Sequence, residues 1–304
     1  MKKRTLRRLL MLCFLSAAVF LSGTAVNATD VNLNDASLYK VKNYKSGDCL
    51  LCANAYMIKR MAMLMESDSY KVISNEALRE AATADGVNTL NSSYTYTADG
   101  IEYTVTRGDL NGTAADKCRQ VREMLKEHPE GIVVWGGSSS ASYSGPHGVL
   151  ITGYNPDKRY FYAADSARNY NGSNTGITSW AGTTMFSIRY CSAYYIISSV
   201  RLTDAAKIDS IKKTDDGRIT LNWKDIGGQN RYQISKAKSA SGKLVTKTLN
   251  SDRATSVSVQ TDEGTTYYYR LRGVNRIEYV DWNGVSHEKV VFGDWSAAKK
   301  YRLE

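Results

Sequence analysis

The stretch Ser46–Met65, SGDCLLCANAYMIKRMAMLM, decides how the first half of this chain is expected to fold. It is apolar over most of its length, has no Gly or Pro after its start, and is too long for a strand, so it predicts a largely buried helix. Cys49 falls in the first turn, where unpaired backbone N–H groups and the helix dipole favour a thiolate. Cys52, one turn further on, is the alternative nucleophile. Either cysteine taken alone is more typical of a small buried apolar residue or of half a disulfide.

The first residues have the pattern of an export signal. Five Lys and Arg residues precede the apolar run from Leu9 to Leu21, and small residues end at Ala28. This predicts a signal peptide over residues 1–28, cleaved after Ala28. The apolar run is too short to span a membrane. We therefore expect a secreted, extracellular protein with no membrane span after cleavage, and attachment to the cell surface stays open.

Charge and cysteine content narrow the classes of partner. Losing the five basic residues of the signal lowers the formal net charge from +10 to +5. An excess of that size argues against a nucleic-acid partner and leaves acidic cell-surface polymers open as partners.

Four cysteines remain after loss of the signal peptide, at 49, 52, 118 and 191, and none lies near a histidine at a metal-binding spacing. We predict no metal and no cofactor. With one cysteine free as nucleophile, at most one disulfide joins two of the other three.

The centre of the chain predicts a helix over residues 113–128 followed by three strands. The strands are residues 131–135, 147–154 and 159–164, separated by a Gly/Ser-rich loop and by a turn at Pro156, so an antiparallel meander is expected. Residues 185–200 are expected to close this first domain with one or two further strands. The composition changes near Asp204, which predicts a domain of residues 29–206 and a second of residues 207–304.

His147 opens the second strand of the meander, and Asp165 ends the third. Pairing Gly153 with Arg159 predicts a register in which residue 147 stands opposite residue 165. The carboxylate would then reach one imidazole nitrogen and leave the other for a sulfur. A nucleophilic thiolate needs such a base, and the base needs such an orienting group. Cys49, His147 and Asp165 are therefore the candidate catalytic residues.

The second domain predicts about seven short strands separated by turn signals, as in a β-sandwich. The segments ITLNW, YQISKA, TTYYYRLRGV and GDWS resemble a fibronectin type III domain, with Trp223 as its core tryptophan and residues 267–269 on its tyrosine-bearing strand. The resemblance implies a binding or spacer module, with cell-wall or host-surface polymers as candidate ligands.

The first domain resembles secreted papain-like cysteine peptidases, and most closely the bacterial double-glycine-leader peptidase-like group. The segments that carry the resemblance are the Cys49 helix ending MIKR, HPEGIVVW, PHGVLITGY and FYAADSA. It implies an α+β fold with the nucleophile helix on an antiparallel sheet, Cys49 as nucleophile, His147 as base and acid, and Asp165 as its orienting partner. Where the family has an oxyanion-stabilising glutamine, this chain has Asn43, whose side chain is shorter.

Three functions follow as hypotheses. The first is a secreted cysteine peptidase acting on a peptide or protein substrate through a thioester. The second is an amidase or acyl transferase that uses the same three residues on cell-wall peptides. The third is a non-catalytic surface-binding or adhesion protein, against which the presence of all three residues argues.

Overall fold

The computed structural model describes residues 33, 41, 47–83, 90–137, 146–166, 178–180, 188–251 and 254–304. The predicted signal peptide, Asn43 and residues 138–145 of the Gly/Ser-rich loop before His147 lie outside these residues.

The described residues form three α-helices and fifteen strands. The helices are α1 (Cys49–Leu64), α2 (Asn75–Ala82) and α3 (Ala114–Glu127). Short 3-10 turns cover Asp68–Lys71 and Ile188–Tyr190. The first seven strands are β1 (Ser93–Ala98), β2 (Ile101–Asp109), β3 (Ile132–Gly136), β4 (His147–Asn155), β5 (Tyr160–Ala164), β6 (Thr178–Trp180) and β7 (Cys191–Leu202). The remaining strands are β8 (Ile208–Lys213), β9 (Ile219–Trp223), β10 (Arg231–Ala237), β11 (Val245–Leu249), β12 (Ser256–Val259), β13 (Thr266–Val280), β14 (Ser286–Phe292) and β15 (Lys299–Arg302). None of the described helices is long and apolar enough to cross a membrane.

The first seven strands make one antiparallel sheet in the order β1-β2-β7-β3-β4-β5-β6. Its first hairpin turns at Asp99 and Gly100, both of which have positive φ (48° and 74°). An Asp-Gly pair in that conformation suits a two-residue hairpin, because the twist of such a turn matches that of the strands. The predicted meander is confirmed as β3, β4 and β5, which are neighbours in that order.

Helix α1 confirms the predicted helix and is buried almost all round. Leu51, Met57, Ile58 and Met61 are inaccessible to solvent, and the helix packs against β3 and β4. Helix α3 shows one apolar stripe instead, with Val121 and Leu125 packed on the same sheet. A helix that is apolar on every side needs neighbours on every side, whereas α3 needs only one.

The last eight strands form a five-stranded and a three-stranded antiparallel sheet. The five-stranded sheet has the order β11-β10-β13-β14, with β15 also paired to β13, and the three-stranded sheet has the order β12-β9-β8. Both sheets contribute to one hydrophobic core that includes Trp223, Tyr232 and Tyr269. Trp223, Tyr267 and Tyr269 are therefore core residues between these two sheets, and the resemblance to a fibronectin type III domain stays a prediction.

The hairpin formed by β13 and β14 contacts helix α3 and strand β4 of the first half of the chain. The Tyr279 hydroxyl donates to the Lys126 carbonyl at 3.1 Å, and Trp282 Nε1 donates to the Arg122 carbonyl at 2.9 Å. The Trp282 ring also meets the ring of Tyr154 edge-on, with centroids 5.2 Å apart. The two predicted domains are therefore in direct contact, and the boundary near residue 206 stays a prediction.

The predicted fold class is wrong for the described part of the chain. Strand accounts for 47% and helix for 19%, with mostly antiparallel sheet, so this is neither a papain-like α+β fold nor that fold joined to a fibronectin type III-like sandwich. The fold class was missed because the seven-stranded sheet pairs strands that lie far apart in the sequence. Residues 185–200 were expected to close the first domain with one or two strands, and β7 is indeed the last strand of the seven-stranded sheet, where it lies between β2 and β3 and joins the first hairpin to the meander. Sequence periodicity identifies strands but does not contain such non-local pairing.

Candidate functional site

Cys49 is the first residue of α1, and a buried ion pair lies beside it. The Cys52 N–H donates to the Asp48 carbonyl at 2.8 Å, which begins the helix. The Asp48 carboxylate does not cap the helix; it pairs with Arg79 of α2 at 2.8 Å. Asp48 is only 1% exposed, and removing one partner of such a buried ion pair is strongly destabilising. The pair therefore ties α2 to the residue that precedes the nucleophile candidate.

His147 is brought to Cys49 by a close approach of β4 to α1. A Cβ added to Gly148 would lie 2.8 Å from the Leu50 Cα, which is closer than real Cβ contacts. Only glycine allows the strand backbone so near to the helix start. As a result the Gly148 N–H donates a hydrogen bond to the Cys49 sulfur, and the His147 side chain hydrogen-bonds to the same sulfur.

Asp165 follows the last residue of β5 and reaches the histidine. Its Oδ1 lies 2.9 Å from His147 Nε2. His147 is 4% and Asp165 5% exposed, so their interaction is shielded from water. With Nε2 directed to the carboxylate, Nδ1 is the imidazole nitrogen left for Cys49.

The predicted register between β4 and β5 is wrong, although the contact it was meant to explain is present. Asn155 pairs with Tyr160 and Gly153 with Tyr162, whereas Ile151 pairs with Ala163. The ladder thus shifts by one residue at Thr152, which is a β-bulge. Asp165 extends the ladder to a place opposite position 149, two residues from His147, and not opposite His147 itself.

The bulge decides which face Asp165 occupies. Side chains alternate between the two faces of a sheet, and directly opposed residues share a face. Without the shift at Thr152, the pairing of Asn155 with Tyr160 would set Asp165 opposite position 150, on the other face from His147. With it, Asp165 and His147 share a face as diagonal neighbours. One extra residue in β4 therefore makes the contact possible.

The pKa values of Cys49 and His147 move in opposite directions. Burial opposes ionisation of Cys49, but hydrogen bonds from His147 and from the Gly148 and Leu50 N–H groups, with the histidine charge, lower its pKa below the ordinary value. Burial likewise disfavours the imidazolium, but its bonds to Asp165 and Cys49 raise the pKa of His147 to about 9. Both shifts favour a thiolate beside an imidazolium.

Cys52 lies one turn further into the core. It is inaccessible to solvent, and the Asn75 side-chain amide donates to its sulfur at 2.9 Å. Burial is the largest influence and raises the pKa of Cys52 to about 12, with a further increase from the charge of Asp48. The alternative nucleophile is therefore held as a neutral thiol.

The remaining predicted site features are placed as follows. Asn43, the oxyanion candidate, lies outside the described residues. No disulfide joins any two of Cys49, Cys52, Cys118 and Cys191. In the described ranges no three His, Cys, Asp or Glu side chains come together in a way that could hold a metal ion. Together, Cys49, His147 and Asp165 can supply a thiolate, a group that carries protons and a fixed carboxylate.

Sequence reasoning missed three residues of the site, namely Arg79, Gly148 and Thr152. Gly148 carried a signal, since an isolated glycine in an apolar strand often marks a close backbone approach. Thr152 carried none, because threonine is an ordinary strand residue. Arg79 lies 31 positions from Asp48 in the sequence, and no local pattern pairs two charges so far apart.

Comparison with known protein-family models found no match to this chain. Comparison with the curated proteins found none either.

Proposed function

We propose that this protein is a secreted cysteine peptidase that hydrolyses peptide bonds through a thioester on Cys49. The observation that carries the proposal is the hydrogen-bonded series from Cys49 through His147 to Asp165. A nucleophile, a base and an orienting group in that order are what acyl transfer requires. The proposal rests on these side chains and does not depend on a papain-like fold.

In the first half-reaction the Cys49 thiolate attacks the carbonyl carbon of the scissile bond. A C–S bond forms, and the carbonyl electrons move to its oxygen. As the oxyanion collapses, the C–N bond breaks and the His147 imidazolium gives its proton to the departing amine. The products are a free amine and an acyl group held on Cys49 as a thioester.

In the second half-reaction water replaces the amine. Neutral His147 takes a proton from water while the oxygen attacks the thioester carbon. The C–S bond then breaks, the acid product leaves, and the thiolate and imidazolium are restored. The Asp165 carboxylate accepts a hydrogen bond from His147 Nε2–H and keeps Nδ1 directed at the sulfur. Asn43 stays the predicted oxyanion stabiliser.

The proposal is tested with the chain of residues 29–304 and a mixture of fluorogenic peptides. We expect release of the fluorophore, loss of release after iodoacetamide treatment, and label on Cys49 by mass spectrometry. Cys49→Ala serves as the inactive control. Label on Cys52, or turnover that survives in Cys49→Ala, would contradict the proposed nucleophile.

An acyl transferase uses the same thioester as a peptidase, so an added amine separates these two, whereas an amidase hydrolyses the thioester as a peptidase does and differs in its substrate, a cell-wall peptide. A peptidase gives mainly the hydrolysed acid when glycinamide competes with water, whereas an acyl transferase gives mainly the glycinamide adduct. A protein with an unreactive Cys49 and no turnover of any peptide would instead favour the non-catalytic binding function.

A further inference from the structure

The positive charge of the chain is concentrated in its last third. Residues 207–304 contain 18 Lys and Arg against 12 Asp and Glu, a net charge of +6. Residues 29–206 contain 17 against 18, a net charge of −1. The basic excess expected of the secreted chain therefore belongs to the part that lacks the candidate catalytic residues.

Strand β13 directs much of this charge to one face of the five-stranded sheet. Tyr269 and Leu271 are buried in the core, so Arg270 and Arg272, which alternate with them, point to the opposite face. Residues paired across the strands share that face. The pairings of β13 place on it Arg231 and Gln233 of β10, Lys300 and Arg302 of β15, and Val290 and Phe292 of β14. We call these residues, with Arg270, Arg272 and Trp295, the basic face.

Arg272 is fixed at the centre of the basic face by aromatic rings and an amide. Its guanidinium lies 4.0 Å from the ring centroid of Phe292 and 4.5 Å from that of Trp295. Its Nε and Nη2 both donate to Gln233 Oε1, at 3.0 and 2.7 Å. Phe292 is 45% exposed. A cation and an aromatic ring are thus presented together to solvent, with the guanidinium already ordered.

The charges around Arg272 are only partly neutralised. Arg276, further along β13, pairs with Glu278 at 3.2 Å and with Glu288, which marks one end of the basic face. Among the described residues no carboxylate lies within ion-pair distance of Lys300 or Arg302, and both are exposed. Side chains on the same face of a strand are two residues, or roughly 7 Å, apart, and neighbouring strands lie roughly 5 Å apart. The Lys and Arg side chains of the basic face therefore form a closely spaced array.

We propose that the basic face binds an acidic polysaccharide whose sugar rings carry carboxylate groups. Guanidinium groups bind carboxylates through paired hydrogen bonds, and a preordered guanidinium loses little entropy on binding. Exposed aromatic rings beside it offer apolar area to the C–H faces of sugar rings. A partner recognised by charge alone would make no use of Phe292. This proposal is independent of the peptidase activity.

The test uses the chain of residues 29–304 carrying Cys49→Ala, with polygalacturonate fragments as the probe and calorimetry as the measurement. Lys300→Gln/Arg302→Gln should weaken binding by at least about tenfold, since two charged hydrogen-bonding groups are lost. Lys212→Gln/Lys224→Gln is the matched control, with the same change of charge at exposed positions outside the basic face. It should change the affinity by less than about twofold, since distant charges are screened.

A second variant separates sugar recognition from charge. Phe292→Ala should weaken binding of polygalacturonate by more than it weakens binding of inorganic polyphosphate, because both polyanions use Arg272 and only the sugar rings use the exposed aromatic face. Thermal melts confirm that each variant is folded. Absence of binding, equal weakening by the two double variants, or polygalacturonate affinity that is unchanged in Phe292→Ala would each overturn the proposal.

Discussion

Cys49 and Cys52 occupy the same helix, three residues apart, and their surroundings are opposite. Cys49 is half-buried at the helix start, where His147 and two backbone N–H groups reach its sulfur. Cys52 is closed off from solvent, with the Asn75 amide as its donor. The pKa of the first is lowered and that of the second is raised to about 12.

The difference shows that the helix start alone does not make a thiolate. The two cysteines lie within about one turn of each other at the start of α1, so both are near the positive end of its dipole. They differ in access to a cationic partner, because only Cys49 meets His147. Burial without such a partner raises a thiol pKa, and burial beside an imidazolium can lower it.

The largest expected effect comes from removing one sulfur or the other. Cys49→Ala should abolish peptide turnover, since no second group can form the thioester. Cys52→Ala should keep most of it, because Cys52 contributes packing and not chemistry. Steady-state kinetics on one peptide measure both variants. Loss of turnover in Cys52→Ala with full activity in Cys49→Ala would reverse the assignment.

Removing the carboxylate that orients His147 is the next largest change. Asp165→Ala should lower kcat on the order of 10²-fold or more, and Asp165→Asn should lose less because it keeps a hydrogen bond. Asp157→Ala, at the turn of the same hairpin, is the control and should be near wild type. Equal losses in Asp157→Ala and Asp165→Ala would mean that the hairpin as a whole is being disturbed.

A substitution that moves β4 away from α1 should make the Cys49 thiol as unreactive as that of Cys52, because it removes the contact with His147. The methyl group of Gly148→Ala would meet the Leu50 Cα at 2.8 Å, and relieving such overpacking costs about 1–3 kcal/mol. The resulting shift should separate His147 from sulfur and lower the rate of iodoacetamide labelling at pH ~6 by about tenfold. Gly153→Ala is the control, since its added Cβ would make only an ordinary contact, at 3.5 Å. Labelling that is unchanged in Gly148→Ala would show that the close approach is not needed.

The smallest effect is the pH dependence that separates the two thiols. Activity should be bell-shaped, because the active pair needs Cys49 deprotonated and His147 protonated. On the acid side, activity should be lost at a pH below the ordinary thiol pKa, where Cys49 becomes protonated. On the alkaline side, activity should be lost near pH 9, where His147 loses its proton. Cys49 should label with iodoacetamide at pH ~6, where an unassisted thiol is under about 1% ionised. A single labelling step near the free-thiol pKa, unchanged in His147→Ala, would show that no ion pair exists.

The sequence predicted the local elements of this site better than the fold around them. The apolar run after Cys49 and the short strands near His147 have local patterns, and those elements are present. The register between β4 and β5 was missed because it depends on one extra residue at Thr152. The fold class was missed because β7 pairs with strands distant from it in the sequence. Local periodicity contains neither kind of information.

The bulge at Thr152 also changes how the site would be sought in other chains. His147 and Asp165 are 18 positions apart, and that spacing alone does not describe a working pair. The two side chains share a face only when the number of residues between them is right. Adding or removing one residue in this hairpin moves the carboxylate to the other face of the sheet, unless a bulge is gained or lost at the same time. A search pattern for such sites should therefore let the spacing vary by one and require a bulge whenever the count demands it. A fixed-length pattern would accept hairpins in which the carboxylate points away from the histidine, and would reject some in which it reaches.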